Sequence, residues 1–152
     1  MPVDKSLASD DPFDLQRFVD AQERVYDGVL GELRDGRKRG HWIWFVFPQL
    51  RGLGNSPTAQ RFGISSLEEA RAYLAHDVLG PRLRECAKLA CRIAGRSADE
   101  VFGRPDNLKV RSSMTLFARA ADDPEARADF TAVLEKFYGG AEDPLTVQHL
   151  AR

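Results

Sequence analysis

Five short signatures that start α-helices punctuate this chain, and they constrain its fold more than any other feature. Asp11-Pro12, Asp123-Pro124 and Asp143-Pro144 each put a capping carboxylate before a proline. The carboxylate satisfies free helix amides, and proline suits the first helical position because its missing N–H is not needed there. Ser66-Leu67-Glu68-Glu69 and Ser97-Ala98-Asp99-Glu100 are capping-box patterns, in which serine and glutamate satisfy each other's backbone amides.

Apolar periodicity follows these starts. Leu15, Phe18, Val19, Val25, Tyr26, Val29, Leu30 and Leu33 recur at three- and four-residue steps, which predicts one long helix from Pro12 closed by Gly36. A helix from Ser66 should reach about His76. After the punctuation of Gly80-Pro81, Leu83, Cys86, Ala87, Ala90, Cys91 and Ile93 predict another, ending at Gly95. The Ser97 box starts a short helix stopped by Gly103, and Asp106 could cap one through about Ala120. Phe130, Val133, Leu134 and Phe137 mark the next before Gly139-Gly140, and Asp143-Pro144 starts a last short helix.

Two stretches resist periodicity. His41-Trp42-Ile43-Trp44-Phe45-Val46-Phe47 carries no acidic or basic charge apart from the histidine and must be buried, but an unbroken apolar run fits either strand or helix. Gln49 to Ser65, with Gly52, Gly54, Asn55, Ser56, Pro57 and Gly63, reads as a long loop. The expected architecture is mainly α: a flexible tail over 1–10 and a single multihelical domain over 11–152, with one short strand pair around 41–47 left open. At 152 residues the chain can bury a full core without metal or disulfide staples.

Composition bears on function by exclusion. A net charge of −1 argues against a protein that coats nucleic acid. No apolar run has the roughly 20 residues of a membrane span, and Met1 to Asp10 lacks a hydrophobic signal core, so a cytoplasmic protein is expected. Cys86 and Cys91 lie outside any metal or CxxC spacing, and His41, His76 and His149 belong to no ligand cluster, so no metal or cofactor is expected.

Candidate chemistry rests on polar residues at apolar positions. His41, beside Trp42 and Trp44, could act as a general base, and Asp106 is the matching carboxylate. Trp44 offers a face for a planar group. Gln49 sits where the aromatic run meets the glycine-rich loop, and Gln22 lies on the apolar stripe itself. Each amide either braces a loop or faces a polar pocket. Lys109, Ser112 and Ser113 form a cluster able to hold phosphate, although serines bonding back to helix carbonyls would also explain it. Arg34, Arg37, Lys38 and Arg39 read as a solvated basic face.

His41-Trp-Ile-Trp-Phe-Val-Phe-Pro-Gln49, Gly52-Leu-Gly54-Asn-Ser56, Tyr73-Leu-Ala-His76, Leu79-Gly-Pro-Arg-Leu83 and Phe102-Gly-Arg-Pro-Asp106, continued by Lys109 to Phe117, resemble the bacterial domain-of-unknown-function family 1810 over about Pro12 to Leu150. Members sometimes carry the label calpastatin, but nothing here resembles a disordered protease inhibitor. The resemblance implies a mainly helical single domain and no established activity. Phe18-Val-Asp-Ala-Gln22 is also similar to a helical segment of the YbiA-like N-glycosidases. Gln16 stands where those proteins have a glutamate, and an amide cannot replace a carboxylate that stabilises oxocarbenium-like charge.

Two readings follow. One is a pocket for a nucleotide-like or phosphorylated small molecule, lined by Gln22, His41, Trp44, Gln49, Lys109 and Ser112. The other is a non-catalytic protein-interaction domain whose polar motif residues brace its loops. The pocket reading requires these distant segments to converge.

Overall fold

A computed structural model describes residues 11–151; the tail expected over residues 1–10 lies outside them. Ten α-helices account for the regular structure of the described residues: α1 (Gln16–Glu23), α2 (Tyr26–Asp35), α3 (Ile43–Val46), α4 (Pro57–Phe62), α5 (Leu67–Ala75), α6 (Leu79–Arg92), α7 (Ala98–Phe102), α8 (Asp106–Ala120), α9 (Pro124–Tyr138) and α10 (Pro144–Leu150). No strand occurs among them. The question left open at 41–47 is answered by α3, a single helical turn, and one isolated parallel bridge joins Leu50 to Ile64.

The capping chemistry places most helix starts. Asp123 and Asp143 accept from the backbone amides of Glu125 and Thr146, and the Ser97 box has both its halves. The Ser66 box is only half formed. Ser66 accepts from the Glu69 amide, but the Glu69 carboxylate turns to the amide and hydroxyl of Ser65 and to Arg17. Asp11 acts one turn ahead of its helix: its carboxylate accepts from the amides of Leu15 (2.7 Å) and Gln16 (3.1 Å). Between them Asp14 takes a left-handed φ of 54°, so the helix starts at Gln16 rather than at Pro12.

The expected single helix to Gly36 is two helices broken at Arg24–Val25. The break leaves Val25 exposed and turns Tyr26 onto α6, where its hydroxyl donates to Glu85. The glycine-rich segment also holds more structure than a loop. Ser56 caps α4 by accepting from the Ala59 amide, and Pro57 is the first helical residue. Gly80-Pro81 lies inside the first turn of α6, so it opens that helix instead of separating it from an earlier one.

Helix α8 runs through the centre. It is covered by α5, α7, α9, α10 and α3, and Val110, Met114, Leu116 and Phe117 on several of its faces are fully buried. A helix enclosed from so many sides loses the one-sided apolar stripe of a surface helix. It therefore carries buried polar residues too: Ser112 and Thr115 bond to carbonyls one turn back, whereas Ser113 Oγ and Asn107 Oδ1 have no partner among the described residues. Arg17 does comparable work where α1, α4 and α5 meet. Its guanidinium donates to the carbonyls of Phe13, Asp14, Arg61 and Gly63 and pairs with buried Glu69 at 2.8 Å.

Candidate functional site

Helix α8 supplies one wall of the candidate site. Asp106 and Lys109 are three residues apart and share a face, and Lys109 Nζ donates to Asp106 Oδ1 at 3.0 Å. The loop after α2 brings a second ammonium: Lys38 Nζ lies 2.8 Å from Asp106 Oδ2 and also donates to the Gly40 carbonyl. Its own backbone amide donates to the Val101 carbonyl at 2.7 Å, tying the loop to α7. Burial pushes the Asp106 carboxyl up, but its hydrogen bonds to Lys38 and Lys109 outweigh that and hold it below the ordinary aspartate value. The carboxylate is thus ionised and engaged on both oxygens. One carboxylate against two ammonium groups leaves a local excess of positive charge.

The aromatic turn forms the second wall. Lys109 Nζ sits 4.0 Å from the centroid of half-buried Trp44, within the range where ring and cation attract. Trp42 is core: its indole N–H donates to Glu32 Oε1 at 2.9 Å. Glu32 also accepts from the amides of Arg39 (2.5 Å) and Gly40 (2.9 Å). One carboxylate thereby folds the loop that delivers Lys38.

The glycine-rich segment closes the third side. A Cβ placed on Gly54 would lie 3.0 Å from Ala59 Cβ, 3.7 Å from Gln49 Nε2 and 3.9 Å from Trp44 Cη2. Gly54 is therefore the point where Trp44, Gln49 and α4 meet, and only a residue without a side chain fits comfortably. Gln49 is 8% exposed, and its side-chain amide, bonded to no other described residue, reaches the surface beside Gly54. On the outer side of Gly54 a recess of about 460 Å³ is lined by Arg51, Gly52, Asn55 and Gln60.

Trp44, Gln49, Asp106 and Lys109 are thus brought together, joined by Lys38 and Gly54. His41 lies exposed at the edge of the aromatic turn. Gln22 is elsewhere and fully engaged: its amide donates to the Phe45 carbonyl (2.6 Å) and the Tyr73 hydroxyl (3.2 Å) and accepts from Arg82 (3.3 Å). Ser112 Oγ lies 3.1 Å from the Leu108 carbonyl and 3.0 Å from Asp143 Oδ2, on the side of α8 that receives α10. Ser113 follows Lys109 by four residues on the same face, and its buried hydroxyl has no partner among the described residues. Gln16 is exposed and donates to Asp20 at 2.9 Å.

Lys38 escaped the sequence reading because it stands in a basic run that resembles a solvated face. Its position between Gly36 and Gly40, just ahead of the aromatic run, is the signal that it turns inward. Among the described residues no group of three His, Cys, Asp or Glu side chains could hold a metal ion, and no helix is long and apolar enough to cross a membrane.

Comparison with known proteins adds relatives but no activity. A family described as "Protein of unknown function (DUF1810)" matches residues 12–150. The crystal structure of the conserved hypothetical protein Rv1873 from Mycobacterium tuberculosis is similar, with a TM-score of 0.89 and 65% sequence identity. The match covers 93% of this chain and 99% of that one. No curated protein matches.

Proposed function

The chain belongs to the DUF1810 family, and from that premise we propose that it binds a small nucleotide-like or phosphorylated molecule where Trp44, Gln49 and Lys109 meet beside Gly54. The observation that carries this reading is the Gln49 side chain. Gln49 is held at 8% exposure beside Trp44 and Gly54, and its side-chain amide is bonded to no other described residue, which leaves it available to a bound molecule. It offers one donor and one acceptor edge beside an aromatic ring and an ammonium, the set that would orient a planar anionic molecule. In this reading Trp44 contacts the planar part, Gln49 reads its polar edge, and Lys109 with Arg51 attracts its charge. Asp106 is a positioning residue that sets Lys38 and Lys109. His41, exposed on the aromatic turn, would be the candidate base if the bound molecule is turned over.

The alternative, an interaction domain braced by its polar residues, draws support from Gln22 and Ser112, whose polar atoms are satisfied internally. A thermal-shift screen of adenine nucleotides, nicotinamide dinucleotides and sugar phosphates separates the two. A ligand present at a hundredfold its Kd should stabilise the fold by about 2.7 kcal/mol. The stabilisation should disappear in Gln49→Ala and Lys109→Ala and persist in Gln22→Ala, even though that variant melts lower. A hit untouched by Gln49→Ala and Lys109→Ala, or silence across the panel, moves the conclusion to the interaction domain.

A further inference from the structure

A second concave surface lies apart from the Gly54 recess and shares no lining residue with it. It is a groove of about 600 Å³ bounded by the C-terminal part of α2 and the outer face of α6, carrying Arg34, Arg84, Lys88 and Arg92 against one carboxylate, Glu85. That carboxylate is already engaged, since it accepts from the Tyr26 hydroxyl at 2.5 Å. Arg84, Lys88 and Arg92 follow one another at four-residue steps along α6. They therefore share a face, with successive charges about 6 Å apart along the axis. Like charges at this spacing repel and weaken a helix. Asp129 relieves only part of the row, reaching Arg84 at 2.7 Å and Lys88 at 3.9 Å.

The floor of the groove is aliphatic, formed by Leu74, Pro81 and Leu89, and no aromatic ring lines it. At the Leu74–Arg84 end it borders a second recess of about 230 Å³, where Arg71 and Arg84 face Asp122 and Asp123, so the cationic stretch ends there. The groove itself is cationic and aliphatic, and its row from Arg84 to Arg92 runs about 12 Å along α6. Its length suits an extended chain better than a compact molecule. Single-stranded nucleic acid draws much of its affinity from bases stacked on aromatic rings, which this groove lacks. In an extended polypeptide, every second side chain points the same way at a spacing of about 6.6 Å, close to the step of the cations.

We propose that this groove docks an extended acidic segment of a partner protein, with carboxylates at alternate positions facing the α6 cations and intervening aliphatic side chains over Leu74, Pro81 and Leu89. The test is fluorescence anisotropy of a fluorescein-labelled peptide of alternating glutamate and leucine, in physiological salt, with melting curves to verify that each variant is folded. Saturable binding is expected, weakened roughly tenfold or more by Arg34→Glu and by Arg92→Glu. Arg61→Glu makes the same charge change outside the groove and should leave binding as it is. A peptide of glutamate and serine should bind less tightly. The proposal is overturned by the absence of saturable binding, by equal weakening in Arg61→Glu, or by a glutamate–serine peptide that binds as well. Stronger displacement by oligodeoxythymidine or tripolyphosphate than by the unlabelled peptide would also overturn it.

Discussion

Asp106 shows how much one residue's environment decides. A lone carboxylate near a binding surface invites the role of proton acceptor, yet this one is held between Lys38 and Lys109, which keep it ionised against the effect of burial. The consequence for pH has a definite sign. A carboxyl whose folded value lies below its unfolded one contributes stability that is complete above the unfolded value, about pH 4. That contribution is lost as acid takes the pH down through the folded value. Carbon-13 NMR of the side-chain carboxyls should place the Asp106 midpoint below the ordinary aspartate value, and Lys38→Ala should move it back up. A wild-type midpoint at or above the ordinary value would mean that burial dominates and the bridge is not formed in solution. Glu32 behaves alike for another reason. Burial pushes it up, while the amides of Arg39 and Gly40 and the Trp42 indole pull it further down.

Helices meet here through particular contacts rather than through general apolar faces, and two glycines show the difference. A Cβ on Gly80 would lie 2.1 Å from the Leu74 carbonyl oxygen, because the start of α6 is pressed against the end of α5. Gly80→Ala must separate those helices and should cost about 3 kcal/mol, in the range of overpacked sites. Gly28, within α2, has nothing within 4 Å of its missing Cβ. Gly28→Ala should therefore stabilise by about 0.5–1 kcal/mol through helix propensity alone. Urea denaturation of both variants should give shifts of opposite sign, and shifts of the same sign would refute the packing account of Gly80. Elements were legible in the sequence wherever their ends have local chemistry. Asp123, Asp143 and Ser97 could be read because a cap acts within four residues of itself. The break between α1 and α2 could not, since the apolar steps continue through Val25 and only the contact of Tyr26 with α6 shows that the chain turns. Helix α4 was hidden because Ser56-Pro57 is turn chemistry and helix-start chemistry at once. For the candidate site, Trp44, Gln49, Asp106 and Lys109 stood out as individual residues. Their meeting point at Gly54 depends on tertiary approach, which has no periodic signature.

At the scale of the whole molecule, the all-α domain rests on one continuous core gathered around α8. Cys86 reports on that core. Its thiol is fully buried, and burial pushes its pKa up to about 12, so it carries almost no reactive thiolate near neutral pH. Cys91 is half-buried and raised to a lesser extent by the same cause. Labelling with a thiol reagent followed by mass spectrometry should modify Cys91 first, and Cys86 only at the rate at which the whole domain opens. Modification of Cys86 as fast as in the denatured chain would show that α6 detaches separately from the core.

The central position of α8 also bears on the order in which the chain can assemble. Its contact with α9 spans only the short turn over residues 121–123, whereas its contact with α3 has four helices intervening along the chain. The entropy lost in closing a loop grows with the logarithm of its length, so the hairpin of α8 and α9 is the less demanding union. The approach of the aromatic turn to Lys109 is the more demanding one. The surface where Trp44 meets Lys109 therefore depends on closing a far longer loop than the hairpin does, so a chain that had formed only its local helix pairs would not yet possess it.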